Sequence, residues 1–498
     1  MFTKRILVFS TAFVAVMAGT AVAQDKKETP PPPGAVRPFH FPKYETKKLS
    51  NGLTVYAIED HRVPVISYRL EVTTAGASAN EAKKAGLAYL TAELLNQATQ
   101  TRSAQQIASI VDRVGATLNT GATIDGASIG ATSTKSASPV VLEVMADVTL
   151  RPTFPQAEMD RLLKQTLSGL QINYKDPQAL ARYLTPRVAY GNHPYSLPVE
   201  GTPDTLRALK REDIANFYAT HYGPSVSYLA IAGNITPAEA FAAAEKHFGS
   251  WKAETTPLKI SRAAASGSRQ IIIIDKPDAV QTQFGLVQVS IPRNDPDYIP
   301  LAIANQIFGG SFNSRLNMKL RAAEGLTYGA NSNFSALVRS GTFNVGSFSR
   351  TEKTSTAIKM MTDLAGDLLK SPITDAELNE ARAFLAGSFA LSIETPGQVA
   401  GRVLSAAVNG LPANYWDTYR EAIQATTRDQ VVAAVKKNLT PDKMNIVAVG
   451  NASGFAKELE QYGTVRVIPL NDLDLTTENL LRVKQTEPTG TDVKPPTK

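Results

Sequence analysis

The chain has 498 residues, 43% hydrophobic and 19% charged, with a formal charge of +7 and no cysteine. That length supports two or more hydrophobic cores of ordinary domain size, and the composition excludes a disordered, collagenous or coiled-coil chain. Without thiols there are no disulfides, no Cys-ligated zinc, no iron–sulfur cluster and no thiol nucleophile, so any histidine site must draw on His40, His61, His193, His221 and His247.

In chain order, Lys4 and Arg5, an apolar run over 6–18, and Ala21-Val22-Ala23 before Gln24 form the three parts of a secretory signal. The apolar run is shorter than the roughly 20 residues that span a bilayer, so residues 1–23 are read as a cleaved signal peptide and the mature chain as a secreted, periplasmic protein. Removing Lys4 and Arg5 leaves a charge of +5 with no basic run, which is no nucleic-acid footprint. Residues 24–43, with Pro30-Pro31-Pro32-Pro33, read as an extended arm. A first domain is expected over 44–253, a Lys/Ser/Ala-rich linker over 254–268, a second domain over 269–460 and a tail over 461–498.

Within the first domain, Asn51-Gly52 between the segments 44–49 and 53–58 predicts a hairpin with a type I′ turn. A strand follows at 63–72 and a helix over 83–98; Ser103 and Gln106 form a capping box, and Gly115 stops the next helix. The second domain repeats the scheme, with strands at 270–275 and 282–291, helices at 299–308 and 314–322, and strands at 326–334 and 342–348. Helix starts at Pro155 and Thr374 are 219 residues apart, and the closing strands ending in Gly233-Asn234 and Gly450-Asn451 are 217 apart. Matched landmarks at nearly equal offsets indicate a duplicated domain. The fold class is therefore α+β: two homologous α/β sandwich domains, each a mostly antiparallel sheet with helices on one face, forming a clamshell half.

Two apparent motifs carry no chemistry. Gly126-Ala127-Ser128-Ile129-Gly130 matches a hydrolase elbow, but that turn needs a strand ending and a helix beginning at the serine, whereas 124–133 alternates as one strand. The five histidines show no metal-binding spacing such as i, i+4 on a helix.

The segment Gly86-Leu87-Ala88-Tyr89-Leu90-Thr91-Ala92-Glu93-Leu94-Leu95, with Leu49-Ser50-Asn51-Gly52-Leu53 before it and Ala98-Thr99 after it, resembles the pitrilysin/insulinase family, which includes the mitochondrial processing peptidases and two-subunit bacterial peptidases. The resemblance extends over 44–460 and includes Asn192-His193-Pro194 and Glu200-Gly201-Thr202. The family places an inverted zinc motif, His-x-x-Glu-His, directly after Gly-Leu-Ala. Here those positions are Tyr89, Ala92 and Glu93, and the position of the family's third ligand, counted back from Asp176-Pro177, falls on Ser168 and Gly169. Catalytic zinc needs three protein donors, an open position and a general base; Glu93 alone, which otherwise reads as a solvated carboxylate, supplies none of that set. No metal is expected in this chain.

The second domain keeps Gly309-Gly310-Ser311-Phe312-Asn313-Ser314-Arg315-Leu316, then Leu320-Arg321, then Glu324-Gly325-Leu326-Thr327-Tyr328-Gly329, which resembles the family's substrate-clamping Arg and Tyr. Taken alone, Arg321 reads as a surface ion-pairing residue and Tyr328 as a half-buried strand aromatic. The resemblance implies that Arg321, on a helix end, offers donors to substrate carbonyls and that Tyr328, on the next strand, stabilises an oxyanion in a partner's site. It implies the non-zinc subunit of an exported heterodimeric metallopeptidase, inactive alone, with zinc in a paralogous partner and unfolded peptides as substrates. The alternative is a non-catalytic assembly or peptide-binding protein with the same fold.

Overall fold

The computed structural model describes residues 39–370 and 372–482. The expected signal at 1–23, the arm up to residue 38 and the end of the tail from 483 lie outside the described residues.

Strands such as Ala127–Thr134 and Gly341–Arg350 alternate buried and half-exposed residues while the central strand Asn445–Gly450 is buried throughout, and the strands assemble into two six-stranded sheets. The first sheet holds β1 (Glu45–Lys48), β2 (Thr54–Glu59), β3 (Val65–Val72), β4 (Thr117–Ala122), β5 (Ala127–Thr134) and β6 (Ser227–Gly233), in the order β1-β2-β6-β3-β5-β4. The second holds β7 (Ile271–Asp275), β8 (Gln281–Ser290), β9 (Ala330–Ala336), β10 (Gly341–Arg350), β11 (Asn445–Gly450) and β12 (Val465–Pro469), in the order β12-β7-β11-β8-β10-β9. Leaving out β1 and β12, the two orders are the same. The equivalent pairs β2/β6 and β7/β11 are parallel, and most of the remaining pairs are antiparallel. This is the duplicated α+β architecture the repeat predicts.

The sixth strand comes from opposite ends of the chain. β1 precedes its sheet and pairs antiparallel to β2, whereas β12 follows its sheet and pairs parallel to β7. Residues 461–482 are therefore not all tail: β12 caps the edge that would otherwise expose β7. Its buried Ile468 joins an apolar cluster, which the short stretch 465–469 was too brief to announce by periodicity.

Three local readings change. The 49–53 connection is a five-residue loop in which Gly52 alone has positive φ (+97°), not a type I′ turn; Asn51 instead donates to the Phe248 carbonyl at 2.8 Å. The expected 83–98 helix is confined to Leu87–Leu94, because Gly86 at φ +93° ends the preceding 3-10 turn. A Cβ on Gly86 would lie 2.8 Å from the Glu200 carbonyl oxygen, so only glycine fits there. The short helix Arg315–Asn317 widens into a π-helical turn, Met318–Ala323, which Gly325 (φ +61°) terminates.

Each sheet buries one face against its own helices. Ile66, Tyr68, Leu70, Ile129 and Ala131 pack with Leu90, Leu94, Val144 and Met145 in the first half. Phe284, Leu286, Phe343 and Val345 pack with Ile303, Phe308 and Met361 in the second. The opposite face of each sheet receives one helix from the other half. Helix Pro177–Tyr190 lies on β8 and β11, where Leu180, Leu184 and Val188 meet Ile274, Val287 and Val447. Reciprocally, helix Pro396–Val408 lies on β3 and β6. Its close approach relies on small residues: a Cβ on Gly397 would sit 3.3 Å from Ser67 Oγ, and one on Gly401 3.4 Å from Arg69 Nη1.

The tips of the two equivalent hairpins also meet. Asp125, between β4 and β5, accepts from the Tyr195 hydroxyl and, at 3.0 Å, from the Val338 amide between β9 and β10. The Arg339 amide donates to the Tyr195 oxygen at 3.2 Å. Burial raises the Asp125 pKa, against the lowering effect of the Tyr195 and Val338 hydrogen bonds. The two halves are thus joined by exchanged helices and by a polar clasp.

Candidate functional site

The helix Leu87–Leu94 packs beside the edge strand β4, and its buried face is Leu87, Ala88, Leu90, Thr91, Ala92 and Leu94. The metal-motif positions are split between that face, which takes Ala92, and the half-buried flank, which takes Tyr89 and Glu93. Ala92 is fully buried in the apolar core and offers no donor atom. The Tyr89 phenol shares a hydrogen bond with Thr166, and burial together with the negative charge of Glu93 and Glu200 raises its pKa, so it is held neutral. Glu93 is half-buried, has no cationic partner among the described residues, and desolvation raises its pKa. Its Oε1 lies 3.7 Å from where a Cβ on Gly121 would stand, so the carboxylate reaches the sheet edge.

Ser168 and Gly169 are exposed. The Ser168 hydroxyl donates back to the Lys164 carbonyl at 2.9 Å, and a Cβ on Gly169 would meet nothing within 4 Å. Both lie on the helix Gln156–Asn173, whose residue facing Tyr89 is Thr166. One neutral phenol, one hydroxyl and one carboxylate are not a zinc donor set, and the residues do not fit the metal the fold family implies. Among the described residues no group of three or more His, Cys, Asp or Glu is placed to hold a metal ion. Ser128 lies within β5 with strand on both sides, which removes the elbow reading as well.

The second half builds a different surface from Gly309 onward. Glycine is required at Gly309 and Gly310, where a Cβ would come within 2.4 Å of the Ser332 amide and 2.8 Å of Gln306 Cα. The chain then presents Phe312, 64% exposed, and the Arg321 guanidinium stacks on its ring at 4.5 Å. Arg321 lies in the π-helical turn, as its placement on a helix end predicts. Together with Gly310, Asn317 and Gln178 it lines a groove of about 430 Å³.

Tyr328 is not on a strand. It occupies the bend before β9, which begins at Ala330, and is 82% exposed. Thr327 Oγ1 donates to the Gly329 carbonyl at 2.9 Å and accepts from the Gly329 amide at 3.1 Å, and Ser347 Oγ donates to the same carbonyl at 3.0 Å. The backbone of the bend is thus tied down while the phenol projects into solvent. Behind this surface Arg315 grips Glu377 in a bidentate pair (2.6 and 2.9 Å). That pair, chiefly through the Arg315 hydrogen bond, depresses the Glu377 pKa to about 2.

Residues 54–203 match the family described as insulinase (peptidase family M16), and residues 208–385 match its peptidase M16 inactive domain. The chain belongs to the M16 peptidase family. A crystal structure of a peptidase M16 inactive domain from Pseudomonas fluorescens superposes with a TM-score of 0.77 at 29% identity, covering 82% of this chain and 98% of that one. A protease structure from Helicobacter pylori superposes at 0.78 with 19% identity, covering 82% and 100%, and shows the shared fold. An uncharacterized zinc protease of Mycobacterium bovis is 25% identical over 371 residues, 74% of this chain and 84% of that protein. A non-peptidase homolog from Helicobacter pylori is 22% identical over 405 residues, 79% and 90% of the two chains. Relatives named as a zinc protease and as a non-peptidase homolog are thus both similar to this chain over most of their length.

Two further cavities lie under the exchanged helices. The larger, about 740 Å³, separates β3, β5 and β4 from helix Pro396–Val408. Its counterpart, about 480 Å³, separates β8, β10 and β9 from helix Pro177–Tyr190 and is lined by the amides Gln178, Gln283, Asn331, Asn333 and Asn344. Neither was read from the sequence. Their one linear trace is Gly397, Gly401 and Ser405, three small residues at intervals of four on a single helix face.

Proposed function

We propose that this M16 chain is the non-zinc subunit of an exported heterodimeric peptidase acting on unfolded peptides. The observation that carries the reading is the asymmetry between its halves: the metal-motif helix has filled its donor positions with Tyr89, Ala92 and Glu93, while the second half presents Arg321 and Tyr328 on an ordered surface. A zinc-bearing paralogue supplies the metal and the general base. Arg321, steadied by Phe312, offers a fork of donors to substrate carbonyls, and the Tyr328 hydroxyl donates to the oxyanion. Export rests on the signal pattern at 1–23.

Reconstitution tests this. The chain alone is expected to hydrolyse no peptide, and addition of a zinc-bearing M16 paralogue from the same cell should produce cleavage. Tyr328→Phe or Arg321→Ala should then lower the rate about 100-fold, the order seen when one oxyanion donor is removed. Cleavage unaffected by either substitution removes their roles. No cleavage under any pairing leaves the alternative, a peptide-binding or assembly protein.

A further inference from the structure

We propose that the cavity beneath helix Pro396–Val408 is a receptor for a peptide carboxylate, with Arg402 and Arg69 as its cationic groups. It is built at the seam between the halves, with Arg69 and Thr132 from the first sheet and Gln398 and Arg402 from the helix of the second half. Arg402 is held in place by aromatic rings, its guanidinium 5.0 Å from Trp416 and 5.8 Å from Phe389. Its carbonyl accepts from Trp416 Nε1 at 2.7 Å, which anchors the backbone. Among the described residues no carboxylate pairs with it, so a half-buried cation stacked on aromatic rings faces the cavity with its donors open to a ligand.

Arg69 sits across the gap, with Nε on Glu71 at 2.8 Å and Nη1 over the bare Cα of Gly401. Counting Glu71, the two arginines leave one net positive charge, which matches a monoanion such as a carboxylate rather than a dianionic phosphate. Uncharged groups complete the wall: Asn119 and the mutually bonded hydroxyls of Ser67 and Thr132 suit a peptide backbone and are indifferent to its side chains, while the Gln398 amide is taken up by the cap of the helix. The first turn of the helix adds the positive end of its dipole on the same side.

The inference rests on the chain being a peptide-handling M16 member, but binding to the lone chain requires neither a partner nor cleavage, so the two can fail separately. The test is calorimetric titration of the purified full chain with three N-acetylated decapeptides of one neutral sequence: a free C-terminal carboxylate, a C-terminal amide, and the amide with a single internal Glu. The free carboxylate should bind at least about tenfold tighter than the neutral amide. Arg402→Met, which keeps the aliphatic stem over Trp416, should abolish that preference, Arg402→Lys should restore part of it, and Arg69→Gln should weaken it.

An internal Glu that binds like the free terminus marks a site that reads any carboxylate; one that binds like the neutral amide marks a reader of chain ends. Equal binding of carboxylate and amide peptides, no binding of any of them, or a preference that survives Arg402→Met in a protein with unchanged melting temperature overturns the proposal.

Discussion

The two halves share a strand order, a helix set and a reciprocal exchange of one helix, yet they have kept different things. In the first, the helix beside the edge strand has traded metal donors for Tyr89, the core residue Ala92 and the lone carboxylate of Glu93. In the second, the equivalent edge strand β9 is preceded by a glycine-built loop, a π-helical turn and a tied bend that hold Arg321 and Tyr328 in the open. The inner faces diverge as well: arginines and hydroxyls under one exchanged helix, a row of amides under the other. Core packing preserves the architecture because dozens of apolar residues share it. Chemistry resides in a few side chains that the core does not constrain, so it is free to differ between copies.

That contrast can be broken by substitution. If function lives on the second half's surface, Arg321→Ala and Tyr328→Phe should remove about two orders of magnitude of paired activity while leaving the melting temperature within about a degree, since both residues are exposed. A large loss of stability would mean that the surface is structural. Next in size is the clasp that joins the hairpin tips: Asp125→Ala strands the Val338 amide and the Tyr195 hydroxyl, and should cost about 2–4 kcal/mol in denaturant unfolding. An unfolding curve superimposable on that of the parent would show the tips to be independent.

The remaining two use pH. The Glu377 pKa is depressed to about 2, from an ordinary 4.5, by its bond to Arg315. Its contribution is fully present above about pH 4.5 and is lost as the pH falls toward 2. Glu377→Gln should therefore destabilise by about 1–2 kcal/mol near neutrality and progressively less in acid; a constant difference down to about pH 2 contradicts the pair. Glu93 has the opposite sign. Its pKa is raised by desolvation, so the ionised form is disfavoured in the fold, and that penalty operates above its folded pKa and disappears below its unfolded value of 4.5. Glu93→Gln should raise stability near neutrality by no more than about 1 kcal/mol, because water still reaches the group, with no gain in acid. A loss of stability at neutral pH would mean that the carboxylate has a partner.

Much of this was legible in the linear order. Matched helix starts and closing strands announced the duplication, Ser103 with Gln106 forms the capping box expected of it, and the substitutions at Tyr89, Ala92 and Glu93 are visible as soon as the motif is found. Other features were not. A five-residue strand such as β12 has too few alternations to register, and Tyr328 two residues before β9 looks the same in sequence as Tyr328 inside it. Nothing local reveals that Asp125 and Val338 meet, or that Arg69 and Arg402 line one cavity, since more than 200 residues separate each pair.

Residue identity alone therefore determined the repeat, the apolar faces and the loss of metal donors, because periodicity and atom type are properties of a short stretch of chain. Only the tertiary structure decided which helix covers which sheet, what holds Arg402 ready, and that the phenol of Tyr328 faces solvent. Those outcomes depend on packing between segments far apart in sequence, where a small residue at Gly397 or Gly401 sets how closely two surfaces approach.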